Sequence, residues 1–104
     1  MLWLYDDSLI GQIPKNIGYL TYLDTLNLAY NQLTGEIPSS LGDFQNIKYL
    51  YLYHNKLNGS IPDSICKILQ SDISFQIWEN QLCPPYPDCI PKNSIGAQDT
   101  SKCI

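Results

Sequence analysis

Basic residues are scarce: six lysines and arginines stand against ten acids in 104 residues, scattered rather than clustered. The formal charge of -4 and the pI near 4.5 exclude counterion-driven binding to nucleic acid or to an anionic membrane, both of which need grouped Lys and Arg. Long apolar runs are missing too. None approaches the ~20 residues that cross a bilayer, so no membrane span is expected. Met1 leads directly into Leu2, Trp3, Leu4, Tyr5, Asp6 and Asp7, with no basic segment, apolar core or cleavage site, so no signal peptide is visible. Histidine occurs once, at His54, without a Ser, Cys or carboxylate in a catalytic arrangement around it. There is no glycine-rich phosphate loop and no nucleophile motif. These absences together read as a non-enzyme with no catalytic residue, no cofactor and no metal. The Asp6-Asp7 pair is a solvated turn rather than a calcium loop, which needs more ligands.

What the chain does have is a period. Leu26, Leu28, Asn31, Leu33, Gly35, Ile37, Pro38 and Leu41 recur 24 residues later as Leu50, Leu52, Asn55, Leu57, Gly59, Ile61, Pro62 and Ile65. The same step backward gives Leu2, Leu4, Asp7, Leu9, Gly11, Ile13, Pro14 and Ile17, and a step of 25 forward gives Phe75, Ile77, Asn80 and Leu82. L-x-x-L-x-L-x-x-N-x-L at a period of 20 to 29 residues is the signature of leucine-rich repeats. Alternate residues of each Leu-x-Leu segment point inward. The Asn at the following bend satisfies backbone groups that the turn leaves unpaired. No coil buries its own apolar edge, so stacking supplies the core. Asp7 replaces Asn in the first coil and has no amide donor, which marks that coil as terminal.

The segments LIGQIPKNIGYLTYLDTLNLAYNQ and LTGEIPSSLGDFQNIKYLYLYHNKLNGSIPDSI resemble the plant-specific class of leucine-rich repeats, with its L-x-G-x-I-P signature. That class is known from plant receptor-kinase ectodomains and polygalacturonase-inhibiting proteins, and also from surface proteins of bacteria and protists. The resemblance implies an α/β repeat solenoid: a right-handed coil with a parallel concave β-sheet and an irregular or 3-10 convex side. Residues 1–82 are read as about 3.5 coils. Residues 83–104 resemble the cysteine-bearing C-terminal caps of such solenoids, closer to microbial repeat proteins than to the plant inhibitors. The N-terminal cap usual in the family is absent, so the chain reads as a fragment or internal start. Its open first coil is a place for dimerisation.

Cys66, Cys83, Cys89 and Cys103 form an even set without the paired Cys-x-x-Cys knuckles of a zinc site. They read as disulfides made in an oxidising, extracellular or cell-surface compartment. Of the three possible pairings the preferred one is Cys66 with Cys83 and Cys89 with Cys103, which would pin the last coil and then tie down the tail.

Between the inward leucines, outward residues align in columns. The first holds Met1, Thr25, Tyr49 and Ser74; the second Trp3, Asn27, Tyr51 and Gln76. The third holds Tyr5, Ala29, Tyr53 and Trp78; the fourth Asp6, Tyr30, His54 and Glu79. Seven of the twelve aromatics sit here, at positions that neither core nor turn requires. Tyr favours strands in its own right, yet contiguous exposed apolar patches on soluble proteins mark binding, and Tyr and Trp are enriched at hot spots. Candidate ligand contacts are Trp3, Tyr5, Asn27, Tyr30, Tyr49, Tyr51, Tyr53, His54, Gln76 and Trp78. The expected partner is a protein or peptide, with a glycan as the other class that such rings stack on. The likeness to polygalacturonase-inhibiting proteins implies, as an alternative, inhibition of a secreted polysaccharide-degrading enzyme; a third reading is a non-binding remnant of a longer receptor or adhesin. Asn58-Gly59-Ser60 is an N-glycosylation triplet placed on the surface.

Overall fold

The computed structural model of the chain describes residues 1–103. Four short strands, β1 (Leu2–Trp3), β3 (Thr25–Asn27), β5 (Tyr49–Tyr51) and β7 (Ser74–Gln76), form one parallel sheet in the order β1-β3-β5-β7. The register follows the sequence period, with Leu26 opposite Leu2 and Leu50, and Leu50 opposite Phe75. Past the Asn bend the chain pairs again. The strand β2 (Ile10–Gln12) lies beside β4 (Gln32–Thr34), and β6 (Asn58–Gly59) beside β8 (Gln81–Leu82). This flanking pairing was not anticipated from the sequence pattern. On the return path each of the first three coils makes a 3-10 helix, at Ile17–Tyr19, Ser39–Asp43 and Asp63–Gln70. Each begins with the same turn, in which the N–H of Ile17, Leu41 or Ile65 donates to the carbonyl of Pro14, Pro38 or Pro62. Proline has no N–H to lose at such an entry, and its fixed φ suits it.

The core is one continuous stack, in which Leu26, Leu41, Leu50, Leu52, Leu57, Ile65, Ile77 and Leu82 are completely buried. It is deep only where a coil has neighbours on both sides. Leu2, Leu4 and Leu9 of the first coil are partly covered, while Ile10, Tyr19 and Tyr22 are at least three-quarters exposed.

The asparagines behave as a ladder. The Oδ1 of Asn31, Asn55 and Asn80 accepts the N–H of Leu9, Leu33 and Leu57 in the preceding coil, at 2.9, 3.0 and 3.0 Å. Each Nδ2 donates to a carbonyl of its own coil and to one of the coil before: Asn55 to Leu52 and Leu28, Asn80 to Ile77 and Leu52. The fourth rung is Gln98. Its Oε1 accepts the N–H of Leu82 and its Nε2 donates to the carbonyls of Ile77 and Ile95, repeating the asparagine pattern with a longer side chain. The N–H groups of Ile77 and Glu79 donate to the carbonyls of Ser94 and Ala97. The tail therefore extends the hydrogen-bonded ladder by one rung, and it adds Ile90 and Ile95 to the core.

All four cysteines are paired, but as Cys66 with Cys89 and Cys83 with Cys103. The sequence-based pairing is corrected here. Cys66 lies in the middle of the long convex 3-10 helix and Cys83 at the opposite, flanking side, just after β8; the tail passes the convex side at Cys89 before it reaches Ile95, Gln98 and finally Cys103. Each bond thus fastens one side of the last coil to the tail instead of joining neighbours in sequence.

Candidate functional site

The outward columns are built by strand alternation, and the structure brings their rings together. Tyr5 meets Tyr30 edge-on at 5.3 Å, Tyr30 meets Tyr53 at 5.5 Å, and Tyr51 meets Tyr53 at 5.8 Å between centroids. Tyr53 stacks on Trp78 at 4.1 Å and Tyr30 on His54 at 4.5 Å. Tyr49 lies 6.2 Å from Tyr51, and the Tyr51 hydroxyl hydrogen-bonds the Ser74 hydroxyl at 3.1 Å. The result is one contiguous aromatic surface across coils one to four. Trp3, 56 % exposed, makes no ring pair with it.

Asn27 departs from the expectation of an exposed contact. It is 2 % exposed, and its Oδ1 accepts the N–H of Ala29. Thr25 and Ala29 are buried as well. Thr25 and Asn27 belong to the strand of the second coil, and Ala29 follows two residues after it; Asn27 is set in register between Trp3 and Tyr51, and Thr25 opposite Tyr49. Small side chains between two rows of large ones are overhung by them, which is how the rings of coils one and three reach Tyr30. Column position alone does not reveal this, because exposure depends on the sizes of the flanking coils' residues. Gln76 and Trp78 are half-buried, and Tyr49 and His54 exposed.

The fourth column has a backbone peculiarity. Asp6, Tyr30, His54 and Glu79 hold φ values of 56°, 58°, 58° and 55°, the left-handed region, which costs a non-glycine residue about 1–2 kcal/mol. The bend before the ladder asparagine imposes this conformation in every coil. A glycine would relieve it, yet the chain places a phenol, an imidazole and two carboxylates there, and backbone strain of this kind clusters at functional sites. His54 Nε2 lies 3.4 Å from Glu79 Oε2, with both side chains about half exposed, a pair worth at most about 1 kcal/mol in such surroundings. Burial among the rings, helped by the neighbouring phenols of Tyr5, Tyr30 and Tyr51, raises the Tyr53 hydroxyl above the ordinary tyrosine range. The surface is therefore uncharged over its centre and acidic along one rim. Among the described residues no three His, Cys, Asp or Glu side chains gather to hold a metal ion.

Asn58 is exposed on the flanking sheet, beside a depression of about 790 Å³ with mixed polar and apolar walls, lined also by Gln12, Ile13, Thr34, Glu36 and Ile37. It lies away from the rings.

Fold, ladder and closing disulfides define the class as a leucine-rich-repeat solenoid with a cysteine-containing C-terminal cap. Residues 22–44 and 46–68 match the family model described as Leucine Rich Repeat, and the chain carries the L-x-G-x-I-P repeat three times, from Leu9, Leu33 and Leu57. It is similar to a chain of the BIR3–SERK2 complex from Arabidopsis thaliana at 29 % identity and a TM-score of 0.85, over 93 % of this chain and 53 % of that one. It is also similar to a chain of the Arabidopsis receptor kinase HAESA in complex with the peptide hormone IDA and the co-receptor SERK1, at 34 % identity and a TM-score of 0.71, over 78 % and 13 %. A plant ice-binding protein matches at 39 % identity and a TM-score of 0.67, over 72 % and 24 %. The chain thus spans about half the length of the first of these and far less of the others. Comparison with curated proteins gives no match.

Proposed function

We propose that the chain is an extracellular interaction module that binds a protein or peptide on the aromatic face of its parallel sheet. One observation carries this reading: rings from four successive coils form a single contacting surface at positions that neither the core nor the ladder needs. Aromatic side chains give large contact area at low entropic cost, the usual composition of binding hot spots. The receptor ectodomains that the chain resembles, solved with a peptide hormone and a co-receptor, support recognition in place of catalysis. The contact set is Trp3, Tyr5, Tyr30, Tyr49, Tyr51, Tyr53, His54, Gln76 and Trp78, with Asn27 beneath them as a support. Residues 1–82 present the surface and the segment from Cys83 closes the stack. The two disulfides fit an oxidising compartment. A glycan on Asn58 would leave the rings clear.

The test is capture from a panel of secreted proteins and peptides by the chain and by its Tyr51→Ala and Tyr53→Ala variants. Loss of capture by roughly tenfold or more, with the unfolding midpoint lowered only slightly, is expected. Retention of every partner by both variants, together with loss in a variant of the flanking sheet such as Thr34→Ala, would move the site to the other side of the molecule.

A second surface merits the same scrutiny for self-association. Met1, Ile10, Tyr19, Leu20 and Tyr22 are all exposed on the first coil, and β1 is the edge strand of the sheet among the described residues. Sedimentation at two concentrations checks for a dimer through it; a single species at both removes that reading.

A further inference from the structure

We infer that the ligand of the aromatic face is an extended peptide carrying two basic side chains about four residues apart, running across the strands along the acidic rim. This rests on the reading of that face as a binding surface. The four outward columns hold two carboxylates, Asp6 and Glu79, and no lysine or arginine; every lysine, from Lys15 to Lys102, lies outside them. The rim column reads Asp6, Tyr30, His54, Glu79, with a left-handed backbone at each position that fixes where its side chain leaves the sheet. Behind it stand Tyr5, Tyr53 and Trp78: Tyr5 and Tyr53 each meet the ring of Tyr30 in the rim, and Tyr53 stacks on Trp78. A ring face beside a carboxylate attracts a Lys or Arg head group by both its quadrupole and the charge, and the methylene stem lies along the ring.

Spacing makes the inference specific. Asp6 and Glu79 occupy the first and fourth coils, separated by three inter-strand steps of ~4.8 Å, or about 14 Å. An extended chain rises ~3.4 Å per residue, so about four residues cover that distance. The middle of the peptide then crosses Tyr30 and His54, whose rings are stacked and offer a flat surface. An acidic partner would bring no cation to the Asp6 and Glu79 carboxylates and be disfavoured.

The probe is a set of extended peptides of about eight residues, each with two arginines at separations from two to six, beside the same sequences with citrulline in place of arginine. Binding is followed by Trp78 fluorescence in a Trp3→Phe background and by calorimetry at low and at physiological salt. Arginine peptides should bind more tightly than their citrulline forms, best at a separation of about four, and weaken with salt. Asp6→Asn and Glu79→Gln, conservative changes at exposed positions, should each weaken binding about fivefold and flatten the spacing preference. Citrulline peptides that bind as well as arginine peptides, and still need Tyr53, would overturn the charge inference and leave the aromatic face standing as the site. No Tyr53-dependent binding by any peptide, or binding only by neutral oligosaccharides, would overturn this inference; the first of these outcomes would also count against the peptide reading of the face.

Discussion

Replacing Asn55 by Ala tests the ladder at its centre. Asn55 is 8 % exposed and makes three good hydrogen bonds: from Leu33 N–H at 3.0 Å, and to the carbonyls of Leu28 and Leu52 at 2.9 and 3.1 Å. The two carbonyls are shared, for Leu28 also accepts from Asn31 and Leu52 from Asn80. Removing the amide leaves both of them one partner and strands only the Leu33 N–H. An unsatisfied buried donor costs about 1–3 kcal/mol and each further lost bond about 1 kcal/mol, giving about 3–5 kcal/mol in all. That is a large share of the ~5–15 kcal/mol that holds a domain of this size. Urea unfolding with the disulfides intact, followed by far-ultraviolet dichroism, measures it as a lowered midpoint at unchanged slope. Asn46→Ala is the control, since it removes a single exposed bond to the Thr21 carbonyl at 3.3 Å and should cost less than about 0.5 kcal/mol. Sharing also predicts coupling. Asn55→Ala combined with Asn80→Ala strips Leu52 of both side-chain donors and should cost about 1 kcal/mol more than the sum of the single changes. A cost for Asn55→Ala no greater than that of Asn46→Ala would refute the ladder as the main polar support.

The remaining predictions are briefer. Gln98→Ala should destabilise by about 1–3 kcal/mol through the stranded Leu82 N–H, whereas Gln98→Asn, one methylene short, should restore little; denaturant midpoints decide. Removing the Cys66–Cys89 bond, which closes a separation of 23 residues, with paired serines should cost about 2–4 kcal/mol, and peptide mapping of unreduced protein should recover Cys66 with Cys89 and not with Cys83. The Tyr53 hydroxyl is raised by burial among neighbouring phenols, so in the window just above pH ~10 the folded state keeps a proton that the unfolded state has lost. Its contribution is complete below that pH and declines as pH rises through the folded value; a Tyr53→Phe variant should lose less stability over that window, and equal losses in both proteins would contradict the assignment.

How much of this was legible in the sequence depends on what each residue answers to. A leucine or asparagine in a coil faces its own counterpart one period away, so Leu50 and Asn55 can be assigned from Leu26 and Asn31 without coordinates. The aromatic columns followed by the same logic. Asn27 did not, because its burial is decided by the sizes of Trp3 and Tyr51 on either side, a property of neighbouring coils and not of the column. The tail obeys no period. Gln98 repeats the ladder asparagine three residues after Ile95, as Asn80 stands three after Ile77, but I-G-A-Q lacks the flanking leucines that would announce it. The disulfide pairing depends on the path of that tail from one side of the last coil to the other, which spacing does not encode.

One column does encode where stacking stops. Gly18, Gly42 and Cys66 occupy equivalent positions on the convex side. A Cβ on Gly18 would run into the carbonyl of Ser40, and one on Gly42 into that of Ser64, because the next coil's 3-10 helix lies directly over each. Glycine is required there by close approach of backbone. Among the described residues no further 3-10 helix follows the last convex one, so position 66 is free to carry a side chain, and its sulfur reaches Cys89 in the cap. Gly42→Ala should therefore cost about 1–3 kcal/mol by forcing two helices apart, while Cys66→Ala in a Cys89→Ala background should cost only what the disulfide contributed. The expected asymmetry follows from geometry: the same methyl group is an obstruction between coils and harmless at the end of the stack. If Gly42→Ala proves neutral, the helices have room that the close approach denies, and the change from glycine to cysteine no longer explains why the repeat ends where it does.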